Sequence, residues 1–324
     1  MKNCSHDMFC HPRVLGKTQS LPAILSFSLA ALLFGCAPNP ETMSSPTPGN
    51  LDHEQEILAY RQAREERLRS PDGWLSLVGL FWLQEGRNTL GSDLRNRVVL
   101  PAGQAPGVVG GLDVKGNQVS IKVEPGVAVT ANGQLITSLD LKSDAEGEPT
   151  ILALGSLEFY VIDRAGRLGI RVKNSASEAL KNFTGLDYYP IDPAWRLEAR
   201  YERYESPREV EIPNIIGTTF REPSPGALFV EIGGKTYDLI VFPDDPSYLL
   251  AFGDTTNGSE TYGGGRFLKI ELPPESGGVV LDFNKAYSPP CVFTPYATCP
   301  LPPPQNKIAV PVRVGEKGYV GVGH

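Results

Sequence analysis

Val119–Val123 (VSIKV), Val127–Thr130 (VAVT), Asn132-Gly133 and Leu135-Ile136 follow one another within 18 residues, and this stretch decides the fold. Short β-branched runs parted by turn residues read as strands joined by tight turns. The same rhythm extends outward from Gly86 to Lys173, through Val98-Val99-Leu100, Phe159–Ile162 and Gly169–Val172. An antiparallel β-sandwich is expected over residues 84–175. The rhythm resumes at Ala227–Ile232, Tyr237–Phe242 and Phe267–Leu272. In Trp195–Tyr201, Trp195, Leu197, Ala199 and Tyr201 share one face, as in a half-buried strand. A second antiparallel β domain is therefore expected over residues 176–324. The fold class is mainly β.

Composition narrows the function. With 41% hydrophobic residues the 324-residue chain can bury a core, and its net charge of −7 argues against a nucleic-acid partner. Of four histidines, His6 and His11 lie near the start, His53 at the edge of a Pro/Ser-rich tether, and His324 is last. The body between His53 and His324 has none, which disfavours Ser-His-Asp or Cys-His catalysis and the usual zinc hydrolase sites. No phosphate-binding G-x-x-x-x-G-K-[ST], no G-x-S-x-G and no H-E-x-x-H occurs, and neither cofactor nor metal is expected.

The N-terminus reads as an address. Lys2, Arg13 and Lys17 precede an apolar run, Leu21–Phe34, too short to cross a hydrocarbon core of ~30 Å but suited to a signal peptide over residues 1–35. The run ends in Leu33-Phe34-Gly35-Cys36, which resembles the lipobox of bacterial lipoproteins, and that resemblance implies lipidation of Cys36. Residues 36–50, with Pro38–Pro48 reading PNPETMSSPTP, form a polar tether. The expected partner is a membrane, held through the lipid anchor, and the expected location is the cell envelope. Ala37 in place of an aspartate after the cysteine resembles outer-membrane sorting in a two-membrane host. Cys4, His6, Cys10 and His11 precede the apolar run and are discarded with it.

Residues 51–83 read as a helix followed by an apolar wedge. Leu51–Arg69 lacks Gly and Pro, has early acids and late arginines, and stops at Ser70-Pro71-Asp72-Gly73. Arg61, Arg64 and Arg67 read as a solvated charged face. Trp74–Leu83 (WLSLVGLFWL) is expected to wedge the helix against the first sheet. After it, Gly86–Asp93 (GRNTLGSD), Asn96–Pro101, the Ala131-Asn132-Gly133 turn and Gly155–Tyr160 resemble a forkhead-associated (FHA) sandwich in their order. Such domains bind phosphothreonine through an arginine and a Ser-x-x-His pair. Ser92 stands in the arginine's place and the pair is missing, so the resemblance implies the fold alone.

Chemistry-bearing residues concentrate between Phe252 and Lys317. Gly263-Gly264-Gly265 before Arg266 suggests an anion nest with a fixed cation, and Gly264, Gly265, Arg266, Asn284 and Tyr287 are the candidate ligand-binding residues. With strand 266–272 and the strand through Asp282 paired as a hairpin across Pro273–Gly278, Arg266 would meet Asp282 or Asn284. Asp254, Glu260 and Tyr262 would join from the preceding loop. That cluster is either a buried pair fixing register or a catalytic set of Arg266, Asp282, Asp254, Glu260 and Tyr262. Cys291 and Cys299, seven residues apart in a Pro-rich loop, most simply form a disulfide in an oxidising envelope; free thiols and metal or redox chemistry are the alternatives.

Thr261–Leu268, Leu281–Pro303 and Gly315–Lys317, with Trp74–Leu83 and Asp192–Arg196, resemble the bacterial "domain of unknown function 1684" family across roughly residues 55–320. The resemblance implies a two-part β protein and no activity. The chain thus reads as an uncharacterised envelope lipoprotein binding a small ligand or a protein partner through its C-terminal β domain. The alternative is a histidine-independent hydrolase using carboxylates with Arg266 and Tyr262.

Overall fold

The structure, a computed structural model, describes residues 48–319. The signal peptide, Cys36, the tether up to residue 47 and His324 lie outside the described residues. Among the described residues no helix is long and apolar enough to cross a membrane.

Helix α1 (Pro48–Arg69) begins three residues before the expected start. Eleven strands follow. They are β1 (Leu77–Trp82), β2 (Gly86–Gly91), β3 (Val98–Val99), β4 (Gly110–Lys115), β5 (Gln118–Val123) and β6 (Thr130–Ala131). Then come β7 (Gln134–Leu135), β8 (Ser138–Leu141), β9 (Leu152–Leu154), β10 (Leu157–Arg164) and β11 (Arg167–Asn174). They form a six-stranded sheet, β1-β11-β10-β9-β6-β7, and a five-stranded sheet, β3-β2-β4-β5-β8. Every pairing is antiparallel except the short β2–β3 contact. Leu90, Leu112, Val119 and Ile121 of one sheet meet Leu157, Phe159, Val161 and Ile170 of the other in an aliphatic and aromatic core, with Asn88 of β2 buried beside it and bonded to the Gln84 and Gly86 carbonyls. This is the alternating, one-face-inward pattern that makes a sandwich.

Trp74–Leu83 does more than wedge: Leu75 clusters with Leu68 of α1, and the stretch itself joins the sheet. Trp74–Ser76 forms one 3₁₀ turn, and the rest becomes edge strand β1, paired with β11 from Leu77↔Lys173 to Trp82↔Gly169. Period-2 alternation, hidden by the density of apolar residues, makes a strand here because β11 offers a free edge.

A short helix, α2 (Glu178–Lys181), capped by the Ser177 side chain, leads into the second domain. Its strands are β12 (Arg196–Pro213), β13 (Thr219–Ile232), β14 (Lys235–Ile240), β15 (Phe242–Asp244), β16 (Ser247–Phe252), β17 (Arg266–Ile270) and β18 (Gly277–Asp282). One sheet runs β14-β13-β12-β18 and the other β15-β16-β17. Leu228, Val230, Leu239 and Leu281 of the first pack on Leu250, Phe252, Leu268 and Ile270 of the second. β17 and β18 do not form the expected hairpin: β17 pairs with β16 and β18 with β12. Pro273 and Pro274 supply no backbone N–H, so the chain leaves one sheet there and joins the other.

The Cys291–Cys299 loop lies where these parts meet. Thr294 Oγ1 donates to the Leu77 carbonyl of β1, while Ile215 N donates to the Cys299 carbonyl and Leu301 N to the Pro213 carbonyl. The two cysteines are bonded, with Cα atoms 6.2 Å apart.

Candidate functional site

Arg266 opens β17 with its side chain on the same face as Leu268 and Ile270, and it is fully buried. Its Nη2 donates to Asp254 Oδ2 at 2.8 Å and to the Val312 carbonyl at 2.6 Å. Nη1 donates to the carbonyls of Val314 at 2.6 Å and Glu316 at 3.3 Å. Asp254 is equally committed, its Oδ1 accepting from Thr256 N and Thr256 Oγ1 at 2.8 and 2.6 Å. Charge, backbone carbonyls and hydroxyl close on one another, which is what a buried ion pair needs to offset its desolvation.

Asp282 and Asn284 are not with Arg266. Asp282 ends β18 and caps the 3₁₀ turn Phe283–Lys285, so Asn284 sits in a turn and not on a strand. Asp282 Oδ1 accepts from Asn284 N and Nδ2 at 3.0 and 2.9 Å. Asn284 in turn bonds both backbone groups of Asp192, each at 2.9 Å. The other carboxylate oxygen, Asp282 Oδ2, lies 2.6 Å from His53 Nε2. Sequence reasoning left His53 at a fraying tether edge. The structure sets it inside α1, 8% exposed, with Nδ1 buried and unpartnered among the described residues.

Glu260 forms a third cluster nearer the surface. Arg313 grips it through Nε and Nη2, the shortest contact being 2.7 Å, and Tyr189 Oη donates to it at 3.0 Å. Hydrogen bonds from Arg313 and then Tyr189 hold the Glu260 carboxyl below its ordinary range. Burial first, and the bond to Glu260 second, push the Tyr189 phenol up to about 12. Tyr262 is half-buried against the cluster of Leu249, Phe267 and Tyr287, and burial raises its phenol too.

The expected glycine nest is a packing device. A Cβ on Gly264 would come 2.5 Å from the Tyr262 ring, and one on Gly265 would come 2.6 Å from the Phe252 carbonyl. Gly265, at φ +86°, also donates its N–H to the Tyr262 carbonyl. Tyr287 exchanges two backbone bonds with Phe267 and stacks edge-on against its ring. The residues expected in one cleft therefore occupy three separate clusters.

The feature missed in the sequence is the inward face of α1. His53, Ile57, Arg64 and Leu68 are all buried, a stripe with spacings of four, seven and four. Arg64, expected in solvent, is 3% exposed; its Nε donates to Glu316 Oε1 at 2.8 Å and its Nη2 to the Ser288 carbonyl at 2.9 Å. Glu316 Oε2 accepts from Ser288 N at 2.8 Å. Tyr60 Oη donates to the Lys285 carbonyl and Arg61 Nη2 to that of Tyr189. Counting His53, Ile57, Tyr60 and Leu68 as the apolar periodicity, with Arg64 on the same line, was the available signal.

Among the described residues, no group of three or more His, Cys, Asp or Glu side chains is placed to hold a metal. A shallow depression of about 60 Å³ is lined by Pro71, Asp72, Ser156, Glu158, Lys173 and Ser175, none of which belongs to the three clusters.

No protein of curated function matches the chain. A solution NMR structure of an uncharacterized protein of Haloarcula marismortui is 31% identical, over 42% of this chain and 78% of that one, with a TM-score of 0.37. The expected family likeness over residues 55–320 narrows on comparison, and the Trp74–Leu83 block falls outside the matched region. That region nonetheless holds Arg266, Asp254, Asp282, Glu316 and the disulfide loop: residues 181–317, the DUF1684 domain, match the family described as "Protein of unknown function (DUF1684)".

Proposed function

We propose that the chain is an envelope-anchored lipoprotein, lipidated at Cys36, that holds its DUF1684 domain at the anchored end and engages a ligand or protein partner through it. The observation that carries this reading is the seam between α1 and that domain. Four residues along the helix, His53, Tyr60, Arg61 and Arg64, are bonded to Asp282, Lys285, Tyr189, and Glu316 with Ser288. α1 follows directly on the tether, so a pull on the lipid would be borne by the DUF1684 domain, and the N-terminal sandwich, FHA-like in the order of its motifs, would project beyond. The commitment of Arg266 to Asp254 and three carbonyls supports a scaffold role for that cluster. Labelled palmitate should enter the wild-type protein and not Cys36→Ser, and the label should fractionate with membranes. A soluble, unlabelled wild-type protein would end the reading.

A second reading, an enzyme, draws on His53. A carboxylate on one imidazole nitrogen fixes the ring's orientation and tautomer, the orienting half of a general base. A hydrolase here would thus be histidine-dependent, in place of the histidine-free set expected from sequence. Hydrolysis of a panel of ester substrates by wild type, abolished in His53→Asn with the fold intact, would support it. Equal rates in both would remove it.

A further inference from the structure

Among the described residues three arginines are at least nine-tenths buried: Arg64, Arg266 and Arg171. The first two each meet a carboxylate at 2.8 Å and one or more backbone carbonyls. Arg171 has neither. It is 6% exposed on β11, its Nε is buried without a partner, and no hydrogen bond or ion pair reaches its guanidinium from the described residues. Its one polar contact is with the face of Trp74, 5.4 Å from Cζ to the ring centroid. A guanidinium has five N–H donors and stays charged at any physiological pH. Of the Arg171 nitrogens Nε is the one buried without a partner, and a buried donor left unbonded is destabilising.

The surroundings add positive charge. β11 turns Leu168, Ile170 and Val172 into the sandwich core, so Arg167, Arg171 and Lys173 share the opposite face, with Gly169 between the two arginines. Each of the three stacks on an aromatic ring: Arg167 on Trp82 at 4.2 Å, Arg171 on Trp74, and Lys173 by Tyr160 at 5.8 Å. Lys173 donates to the Asp72 carbonyl, its charge also acts on the Asp72 carboxyl, and Glu158 stands opposite it on β10, so the two arginines are the cations without a facing acid. Trp74 also packs against the second-domain cluster of Leu249, Phe267 and Tyr287 and against the one holding Val292 and Phe293, so Arg171 lies at the seam where the two domains meet. Domain seams are common places for ligand sites.

We infer that Arg171 is an oxyanion-binding residue at the seam between the sandwich and the DUF1684 domain, receiving a carboxylate or phosphate group on its guanidinium fork. Two parallel N–H···O bonds match that planar geometry, and the indole holds the guanidinium plane from the other side. Arg167 and Lys173 attract the anion to this face. The site is distinct from the partner-binding role of the C-terminal domain and stands without it.

The test is thermal unfolding of the full chain in detergent, with sodium phosphate or sodium acetate replacing sodium chloride at constant ionic strength. In the wild type at least one oxyanion should raise the midpoint saturably by about 2–4 °C, because a ligand bound only to the native state stabilises it. Acetate alone acting would mark a carboxylate site, and phosphate alone a phosphate site. Arg171→Met should melt in chloride at or above the wild-type midpoint and show no rise, since it removes an unpaired buried charge. Arg171→Lys should keep part of the response. The inference fails if neither oxyanion shifts the wild type, or if Arg171→Met responds as the wild type does. It also fails if Arg171→Met loses stability in chloride, which would mean that the guanidinium is paired within the chain.

Discussion

The N-terminal sandwich and the α1–DUF1684 seam are both buried, yet they are held by opposite kinds of force. In the sandwich, Phe159, Ile170 and Leu112 pack among aliphatic neighbours, and the core is closed without a charge. In the seam, Arg64, Glu316, His53 and Asp282 lie at 8% exposure or less, and their pairings span more than two hundred residues of chain. Apolar burial is non-directional and tolerates repacking, whereas a buried charge is stable only while its partner is present. The sandwich should therefore give way gradually under substitution, and the seam abruptly.

The largest effect should come from Arg266→Ala. It strands Asp254 and three carbonyls and should cost about 3–5 kcal/mol in urea unfolding. Arg64→Ala should cost a similar amount, about 3–4 kcal/mol, by orphaning Glu316. In the sandwich, Ile170→Val should cost only about 1 kcal/mol. A seam substitution as mild as Ile170→Val would break the contrast.

Much of the sandwich was legible because strands announce themselves locally. Phe159–Ile162 and Gly169–Val172 fell inside β10 and β11, and Val119–Val123 inside β5. The second domain was legible in kind but not in pairing, since nothing local tells β17 to choose β16 over β18. The disulfide was readable from the isolation of two cysteines in one loop. The charged clusters were not. Which of Asp254, Asp282 and Glu260 would face Arg266 depends on sheet order, and His53 and Arg64 depend on where a helix docks. A sequence displays charges but not their partners when the contact crosses two domains.

Next in size is the disulfide. Cys291→Ser with Cys299→Ser should lose about 2–3 kcal/mol, the value expected for closing a nine-residue loop. Because that loop touches β1, the tip of the β12–β13 hairpin and the DUF1684 core, protease cleavage near Asn214 should quicken in the variant. Unchanged stability would show that the loop is held by its packing alone.

An effect of similar size should appear only at alkaline pH. Burial raises the Tyr60 phenol to about 12 in the folded protein, against 10.0 unfolded. Between those values the folded state holds a proton that the unfolded state has released, so this share of stability is complete below pH ~10 and lost as pH rises toward ~12. The loss should approach about 2–3 kcal/mol in the wild type and be missing in Tyr60→Phe. Parallel alkaline curves for the two proteins would place the Tyr60 hydroxyl in water and loosen this end of the seam.

Hydrogen exchange of the full chain across a urea series tests most directly whether α1 is part of the DUF1684 domain. The account predicts that amides of Ile57–Leu68 lose protection together with those of β17 and β18, and that Arg64→Ala brings both groups down by the same amount while β10 and β11 stay protected. Amides of α1 exchanging freely while β17 and β18 remain closed would contradict it.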